Sequence, residues 1–223
     1  MKRSFNVTGT CVPDKHYMVD VTNKFNQVMK LIEMGEYFAI NRPRQYGKTS
    51  MLSLVARELR KHKDKFVLSR MSFAGVGDGI FKDEYAFSPR FVEMLARSLE
   101  MFDSETAELI RNTSHDVVDL DSLSIFITEF VQKADREVVL LIDEVDKSSN
   151  NQLFVSFLAM LRDKYLACND GEDFTFKSVI LAGVHDVKSL KLKIREGEEV
   201  KINSPWNIAA DFNVDMSFNP AEI

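Results

Sequence analysis

The feature that most constrains this chain is a polar loop between an apolar run and an amphipathic segment. The apolar run occupies residues 37–40, and residues 42–49 then read Arg-Pro-Arg-Gln-Tyr-Gly-Lys-Thr. In a strand–loop–helix arrangement ending in Gly-Lys-Thr, backbone N–H groups and a helix N-terminus hold phosphate groups. The sequence therefore predicts a phosphate-binding loop, although a bare Gly-Lys-Thr also arises by chance in many proteins.

Individual residues of this loop have predicted roles. Lys48 places a positive charge on the β- and γ-phosphates of a nucleotide, and the Thr49 hydroxyl is a ligand for Mg²⁺. The pattern G-x-x-x-x-G-K-[ST] is incomplete, because Arg42 stands where the first glycine belongs. An alternative interpretation of Arg42 and Arg44 stays open, in which they pack against the loop. The predicted nucleotide-binding residues are Arg42, Pro43, Arg44, Gln45, Tyr46, Gly47, Lys48, Thr49 and Ser50.

A second apolar run ends in two carboxylates. Residues 138–142 read Val-Val-Leu-Leu-Ile, which is typical of a strand buried on both faces, and Asp143 and Glu144 follow. Ligands of parallel α/β sheets bind at the carboxyl ends of the strands, where the phosphate loop also points. Asp143 is predicted to hold Mg²⁺, and Glu144 to orient or deprotonate an attacking water. The alternative is that the pair caps the following turn.

Composition narrows the class of protein. Hydrophobic residues make up 45% of the 223-residue chain and charged residues 28%, as in a globular α/β domain. No apolar run approaches the roughly 20 residues of a membrane span, so no membrane partner is expected. Cys11 and Cys168 are too few for a disulfide framework, which makes a reducing cytoplasm the default location. The net charge of −5 does not support direct, broad nucleic-acid binding, although a local basic patch stays open.

Hydrophobic periodicity predicts alternating helices and strands, and hence parallel βαβ units. Ser88-Pro89 reads as a helix start, with serine as the N-cap residue and proline at the first helical position. The glycine-rich segment 74–79 is expected to be a mobile loop rather than a phosphate cradle. The predicted helices are residues 22–34, 48–62, 88–102, 122–134 and 153–165, and the predicted strands are residues 37–41, 66–73, 138–142, 174–182 and 214–218.

The fourth predicted strand ends in Gly-Val-His-Asp at residues 183–186. A polar strand end, together with a glutamate directly after Asp143, is typical of ATPases that insert an extra strand between the phosphate-loop strand and the acidic strand. His185 or Asp186 would then sense the γ-phosphate or the attacking water, and the predicted catalytic pair is Glu144 and His185. The alternative, equally open, is that His185 satisfies backbone groups in a turn.

Four motifs together identify a family resemblance. They are Tyr-Met-Val-Asp at 17–20, Asn-Arg-Pro-Arg-Gln-Tyr-Gly-Lys at 41–48, Asp-Glu-Val-Asp at 143–146 and Asn-Ser-Pro-Trp-Asn-Ile-Ala at 203–209. With them the chain resembles the AAA-ATPase-like family of bacterial P-loop ATPases over essentially its whole length. The resemblance implies an α/β P-loop NTPase fold with a parallel sheet of order 5-1-4-3-2 flanked by helices. It also implies ATP and Mg²⁺ as cofactors, and an arginine at position 42 as a family trait.

The resemblance also implies parts beyond this sequence. Members continue into a helical lid and often into a C-terminal restriction-endonuclease-like nuclease domain. Here residues 219–222 read Asn-Pro-Ala-Glu, a helix-start signature, and the sequence ends one residue later. The expected organisation is an N-terminal extension and helix at 1–36 and an ATPase core at 37–223. In that reading the lid is missing and the nuclease domain is absent.

Arginines supplied by a lid, or by a neighbouring subunit of a homo-oligomer, are common in such ATPases. Arg162 and Arg195 are the in-chain candidates, and the alternative is that both are ordinary surface charges. Without the lid, weak nucleotide affinity and little turnover are expected, with exposed apolar surface around Met216 and Phe218.

Three functions stay open at this point. The first is an Mg²⁺-dependent ATP-binding ATPase module with weak hydrolysis. The second is a nucleotide-gated interaction module without significant turnover, and the third is a P-loop kinase. The water-orienting role expected of Glu144 argues against the kinase, since kinases seldom need such a residue.

Overall fold

The computed structural model describes residues 4, 14–17, 19–41, 43, 46–147, 151–184, 191–195, 198–201, 205–210 and 214. Its helices are α1 (Thr22–Glu33), α2 (Lys48–Lys61), α3 (Glu84–Leu99), α4 (Ser104–Thr113), α5 (Leu120–Ala134) and α6 (Gln152–Asn169). Its strands are β1 (Phe38–Asn41), β2 (Phe66–Ser72), β3 (Glu137–Asp143), β4 (Ser178–Gly183), β5 (Lys191–Arg195) and β6 (Glu198–Lys201). Short 3₁₀ helices lie at Asp78–Phe81, Val145–Lys147 and Pro205–Ile208.

The first four strands form a parallel sheet in the order β1-β4-β3-β2. This confirms the predicted α/β class, with a parallel sheet flanked by helices, and the predicted order of these four strands. Register aligns Asn41 with Gly183 and Ser72 with Asp143, so the strands end along one edge of the sheet. Strands β5 and β6, which the sequence did not predict, pair with each other as an antiparallel hairpin.

The chain also runs along the outer edge of β1. Ala210 forms a parallel bridge with Phe38, and its N–H donates to the Tyr37 carbonyl at 2.8 Å. Because β4 occupies the other edge of β1, this bridge lies where the resemblance places a fifth strand. Of the predicted strand 214–218 only Val214 is among the described residues, and it is buried. Met216 and Phe218 lie outside the described part of the chain.

Helices cover both faces of the sheet, since successive strand residues point to opposite faces and both are apolar. One face carries α1 and α2, and the other carries α3, α5 and α6. The first face buries Val28, Leu52, Val55, Leu68, Leu141 and Ile180 in one cluster. The second buries Phe91, Phe130, Leu140, Phe157 and Leu181 in another. No helix in the described part of the chain is both long and apolar enough to cross a membrane.

The predicted start of α3 was wrong. The helix begins at Glu84, one turn before Ser88, because Asp83 caps it and accepts a hydrogen bond from the Ala86 N–H at 2.9 Å. Pro89 therefore lies inside the helix, where it has no N–H to donate to the Tyr85 carbonyl. A serine–proline pair resembled a cap, but the carboxylate upstream took that role.

The fourth strand begins later than predicted, at Ser178, because a polar cluster engages the segment before it. Lys164 of α6 is only 3% exposed, and its Nζ donates to Asp173 Oδ2 and to Thr128 Oγ1, both at 2.6 Å. Asp173 also accepts from the Thr128 hydroxyl and from the Phe174 N–H, both at 2.7 Å. The cluster thus joins α5, α6 and the chain leading into β4.

Replacing the aspartate of this cluster is expected to lower the free energy of unfolding more than replacing the lysine. Asp173→Ala leaves a buried ammonium without its counter-charge and should lower the free energy of unfolding by about 3 kcal/mol. Lys164→Met should cost only about 1 kcal/mol, since Asp173 is 20% exposed and reaches water. Urea denaturation of both variants measures the difference, and equal losses would contradict this account.

The same pair predicts a pH dependence. Burial raises the pKa of Asp173, but the hydrogen bonds from Lys164, Thr128 and the Phe174 N–H outweigh it and leave the pKa below its ordinary value. The stabilisation is therefore complete above the ordinary pKa of about 3.9 and is lost as the pH falls through the lowered value. The gap in stability between the wild type and Asp173→Ala should shrink below about pH 4.

Candidate functional site

The predicted phosphate loop lies between β1 and α2. Gly47, just before α2, has φ +73°, a left-handed conformation that glycine adopts without steric cost, and its carbonyl accepts the Met51 N–H at 2.8 Å. Lys48 is 9% exposed, and its Nζ donates to the Pro43 carbonyl at 2.9 Å. The lysine therefore folds back over the loop at a helix N-terminus whose first N–H groups lack intrahelical partners.

The other loop residues are described in part. Tyr46 is exposed, whereas Thr49 and Ser50 are half-buried in the first turn of α2. Arg42, Arg44 and Gln45 lie outside the described residues, so their predicted contact with nucleotide stays a prediction.

The predicted metal ligand on β3 is a buried carboxylate. Asp143 is the last residue of the strand and is 5% exposed. Its Oδ1 accepts the Glu144 N–H at 3.0 Å, and its Oδ2 lies 4.0 Å from Nη2 of Arg70. The position of this carboxylate, at the carboxyl end of a buried parallel strand, is the one that the sequence indicated. Its role as a metal ligand stays a prediction.

Glu144 is exposed and has φ +57°. A non-glycine residue in the left-handed region stores roughly 1–2 kcal/mol of strain, and such residues cluster at functional sites. The backbone turns sharply here, because the 3₁₀ helix Val145–Lys147 follows at once. The turn leaves the Glu144 carboxylate in solvent beside the buried Asp143.

The strain at Glu144 gives a prediction about stability. Glu144→Gly should unfold with a free energy about 1 kcal/mol higher than Glu144→Ala, because glycine adopts the positive φ without steric cost. Both variants lack the carboxylate, so the comparison isolates the backbone. Thermal or urea denaturation measures it, and an alanine variant as stable as the glycine variant would contradict the strain.

Asp146 holds the end of β4 against the turn that follows β3. Both of its carboxylate oxygens accept the Val184 N–H, at 2.8 and 2.7 Å. A Cβ added to Gly183 would lie 3.0 Å from Asp146 Oδ1 and from Val145 Cγ2, so the close approach requires glycine. His185, the predicted sensor, follows Val184 directly, but His185 and Asp186 lie outside the described residues. Sequence reasoning had named Asp146 only as part of a motif.

Arg70 was missed by the sequence reasoning. It lies on β2, where Nη1 donates to the Ser53 hydroxyl of α2 at 2.8 Å and Nη2 faces Asp143. Burial lowers the pKa of Arg70, and the negative charge of Asp143 raises it by less, so the pKa stays below its ordinary value. The guanidinium is nevertheless charged, because arginine remains protonated in proteins. An arginine inside the mostly apolar strand sequence 66–71 was the available signal, since arginine is seldom buried unless paired.

The donor atoms fit Mg²⁺. Thr49 and Asp143 offer a hydroxyl and a carboxylate, which are the hard oxygen ligands this ion prefers. The described residues contain no group of three or more His, Cys, Asp or Glu side chains that could hold a metal. A protein site with one or two oxygen ligands suits Mg²⁺ bound together with a phosphate and water, rather than an all-protein metal cage.

Arg162, one of the two candidate phosphate-sensing arginines, has partners at the surface. Its guanidinium donates to Asn207 Oδ1 and to Asp163 Oδ1, both at 3.2 Å. This supports the alternative that Arg162 is a surface charge tying α6 to the segment 205–208. The side chain of Arg195 lies outside what the structure describes.

The chain matches one family model and is similar to several solved structures. The family model of the AAA-like domain matches residues 12–207. The solved structures to which the chain is similar include the Aeropyrum pernix ORC1 protein in complex with DNA, at 11% identity and a TM-score of 0.44, covering 75% of this chain and 39% of that one. They also include Drosophila ORC bound to poly(dA/dT) DNA and Cdc6, at 11% identity and a TM-score of 0.39, covering 74% of this chain and 24% of that one.

The chain therefore spans well under half the length of either protein. No curated protein matches it in sequence. Because the family match extends over most of its length, the chain belongs to the family of AAA-like domains.

Proposed function

We propose that this chain is an ATP-binding module that takes Mg²⁺ with the nucleotide and hydrolyses ATP slowly. The observation that carries the proposal is the position of Lys48. It is a buried lysine at the N-terminus of α2, directly after a left-handed glycine and held to the Pro43 carbonyl. A buried ammonium that donates to a backbone carbonyl of the loop lies where it can donate to phosphate oxygens bound in that loop.

Each residue has a role in this proposal. The backbone N–H groups of the first turn of α2 and the Lys48 ammonium bind the phosphates, and Tyr46, Gly47 and Ser50 shape the loop around them. Thr49 and Asp143 hold Mg²⁺, which neutralises phosphate charge when bound. Glu144 accepts a proton from the attacking water, and Asp146 positions the end of β4 that carries His185. Arg42, Pro43, Arg44 and Gln45 contribute as the loop that surrounds the nucleotide.

The test is a calorimetric titration of the wild-type chain with ATP, once with excess Mg²⁺ and once with excess EDTA. Binding that tightens with Mg²⁺ is expected, and no binding under either condition would reject the proposal. Phosphate release from the same protein then separates the functions. Transfer to water supports an ATPase, and transfer only to an added acceptor supports a kinase. Binding without transfer supports a nucleotide-gated interaction module.

The wider setting is proposed from the resemblance. A homo-oligomer would allow a neighbouring subunit to supply an arginine to the nucleotide, and a nuclease domain would be the partner that the ATPase controls. The cytoplasm is the proposed location. Mass photometry with and without Mg·ATP tests the first of these, since assembly should then depend on nucleotide.

A further inference from the structure

Arg70 and Asp143 lie on the same face of the sheet. Register pairs Arg70 of β2 with Leu141 of β3, and Asp143 follows Leu141 by two residues. The two charged side chains are therefore diagonal neighbours on adjacent strands, on the face that α2 covers. The Arg70 side chain is 24% exposed and the Asp143 side chain 7%, so water screens the pair only in part.

The Arg70 guanidinium is also anchored to α2. Nη1 donates to Ser53 Oγ at 2.8 Å, and Nη2 lies 3.5 Å from the Thr49 carbonyl oxygen. Ser53 in turn donates to that same carbonyl at 2.8 Å. The guanidinium thus lies between the Thr49 carbonyl and the Asp143 carboxylate. Thr49 and Asp143 are the two residues that we assign to Mg²⁺.

A buried carboxylate is costly without a counter-charge, and Arg70 supplies one in the ligand-free protein. A divalent ion bound to Asp143 would meet this same positive charge. Because Ser53 and the Thr49 carbonyl hold the guanidinium from the side of α2, it stays close when the metal arrives. The two cations then repel each other across a partly buried site.

We propose that Arg70 is a built-in counter-ion of the metal site. It neutralises Asp143 while the site is empty, and it lowers the affinity for Mg²⁺ when nucleotide binds. This inference rests on the proposed function, since it requires Asp143 to hold Mg²⁺. A lower affinity would let Mg²⁺ leave the site more readily.

The test compares metal enhancement, defined as the ratio of ATP affinity in excess Mg²⁺ to that in excess EDTA. Arg70→Gln removes the charge but keeps a donor for Ser53, and its ratio should exceed the wild-type ratio roughly tenfold. Arg70→Lys keeps the charge and should stay near the wild type. Arg57→Gln is the matched control, because it removes an exposed arginine from α2 and should leave the ratio unchanged.

The outcomes separate the two proposals. A wild-type chain that binds ATP no better with Mg²⁺ than with EDTA would reject the metal role of Asp143, and the counter-ion with it. Wild-type enhancement with an equal or smaller ratio in Arg70→Gln would overturn the counter-ion proposal alone. Should Arg70→Gln fail to fold, Ser53→Ala releases one anchor and should raise the ratio about twofold. An unchanged or lower ratio in that variant would also overturn the proposal.

Discussion

Lys48→Ala is expected to weaken Mg·ATP binding by about 3 kcal/mol, on the order of 100-fold. The variant takes a positive charge away from the phosphates, and that charge is already buried in the free protein. The measurement is calorimetric titration with Mg·ATP. Equal affinity in the wild type and the variant would show that Lys48 does not bind the nucleotide.

Lys61→Ala is the matched control for this prediction. Lys61 is the last residue of the same helix, and its side chain is 67% exposed and paired with Glu58. Its loss changes the net charge equally but lies at the far end of α2. The Lys48 variant also loses the contact with the Pro43 carbonyl, so its melting temperature should be recorded beside its affinity.

Glu144→Gln is expected to keep Mg·ATP binding and to lower phosphate release by a factor on the order of 10² to 10⁴, because an amide cannot accept the proton of the attacking water. Glutamine keeps the side-chain shape and the left-handed backbone strain, so the substitution isolates the chemistry from the fold. Single-turnover phosphate release measures the effect. Unchanged release would exclude Glu144 as the base.

Asp143→Ala provides the contrast to this variant. It should weaken the part of ATP binding that depends on Mg²⁺ and leave binding in EDTA comparatively unaffected. Loss of metal-independent binding as well would indicate that Asp143 acts on the fold of the loop, through the Glu144 N–H and Arg70 that it contacts.

Local signals predicted the elements that carry the candidate site. A continuous apolar run specified β3 because both faces of that strand are buried, and Asp143 at its end followed from the boundary of the run. Gly47 before Lys48 marked the start of α2 because the left-handed turn requires glycine there. Helix starts were less certain, as Ser88 shows, since several polar residues nearby can compete to cap one helix.

The sequence by itself determined the alternation of strands and helices, the two apolar faces of the sheet and the position of the Gly-Lys-Thr loop. These depend on contacts between near neighbours and on periodicity, which a single sequence displays. Only the tertiary structure decided that Arg70 meets Asp143, that Asp146 holds Val184, and that Lys164 meets Asp173. Two of these pairs join different strands or their ends, and the third joins a helix to the chain after it. Strand register and the approach of one buried backbone to another select such partners, and neither is visible in residue order.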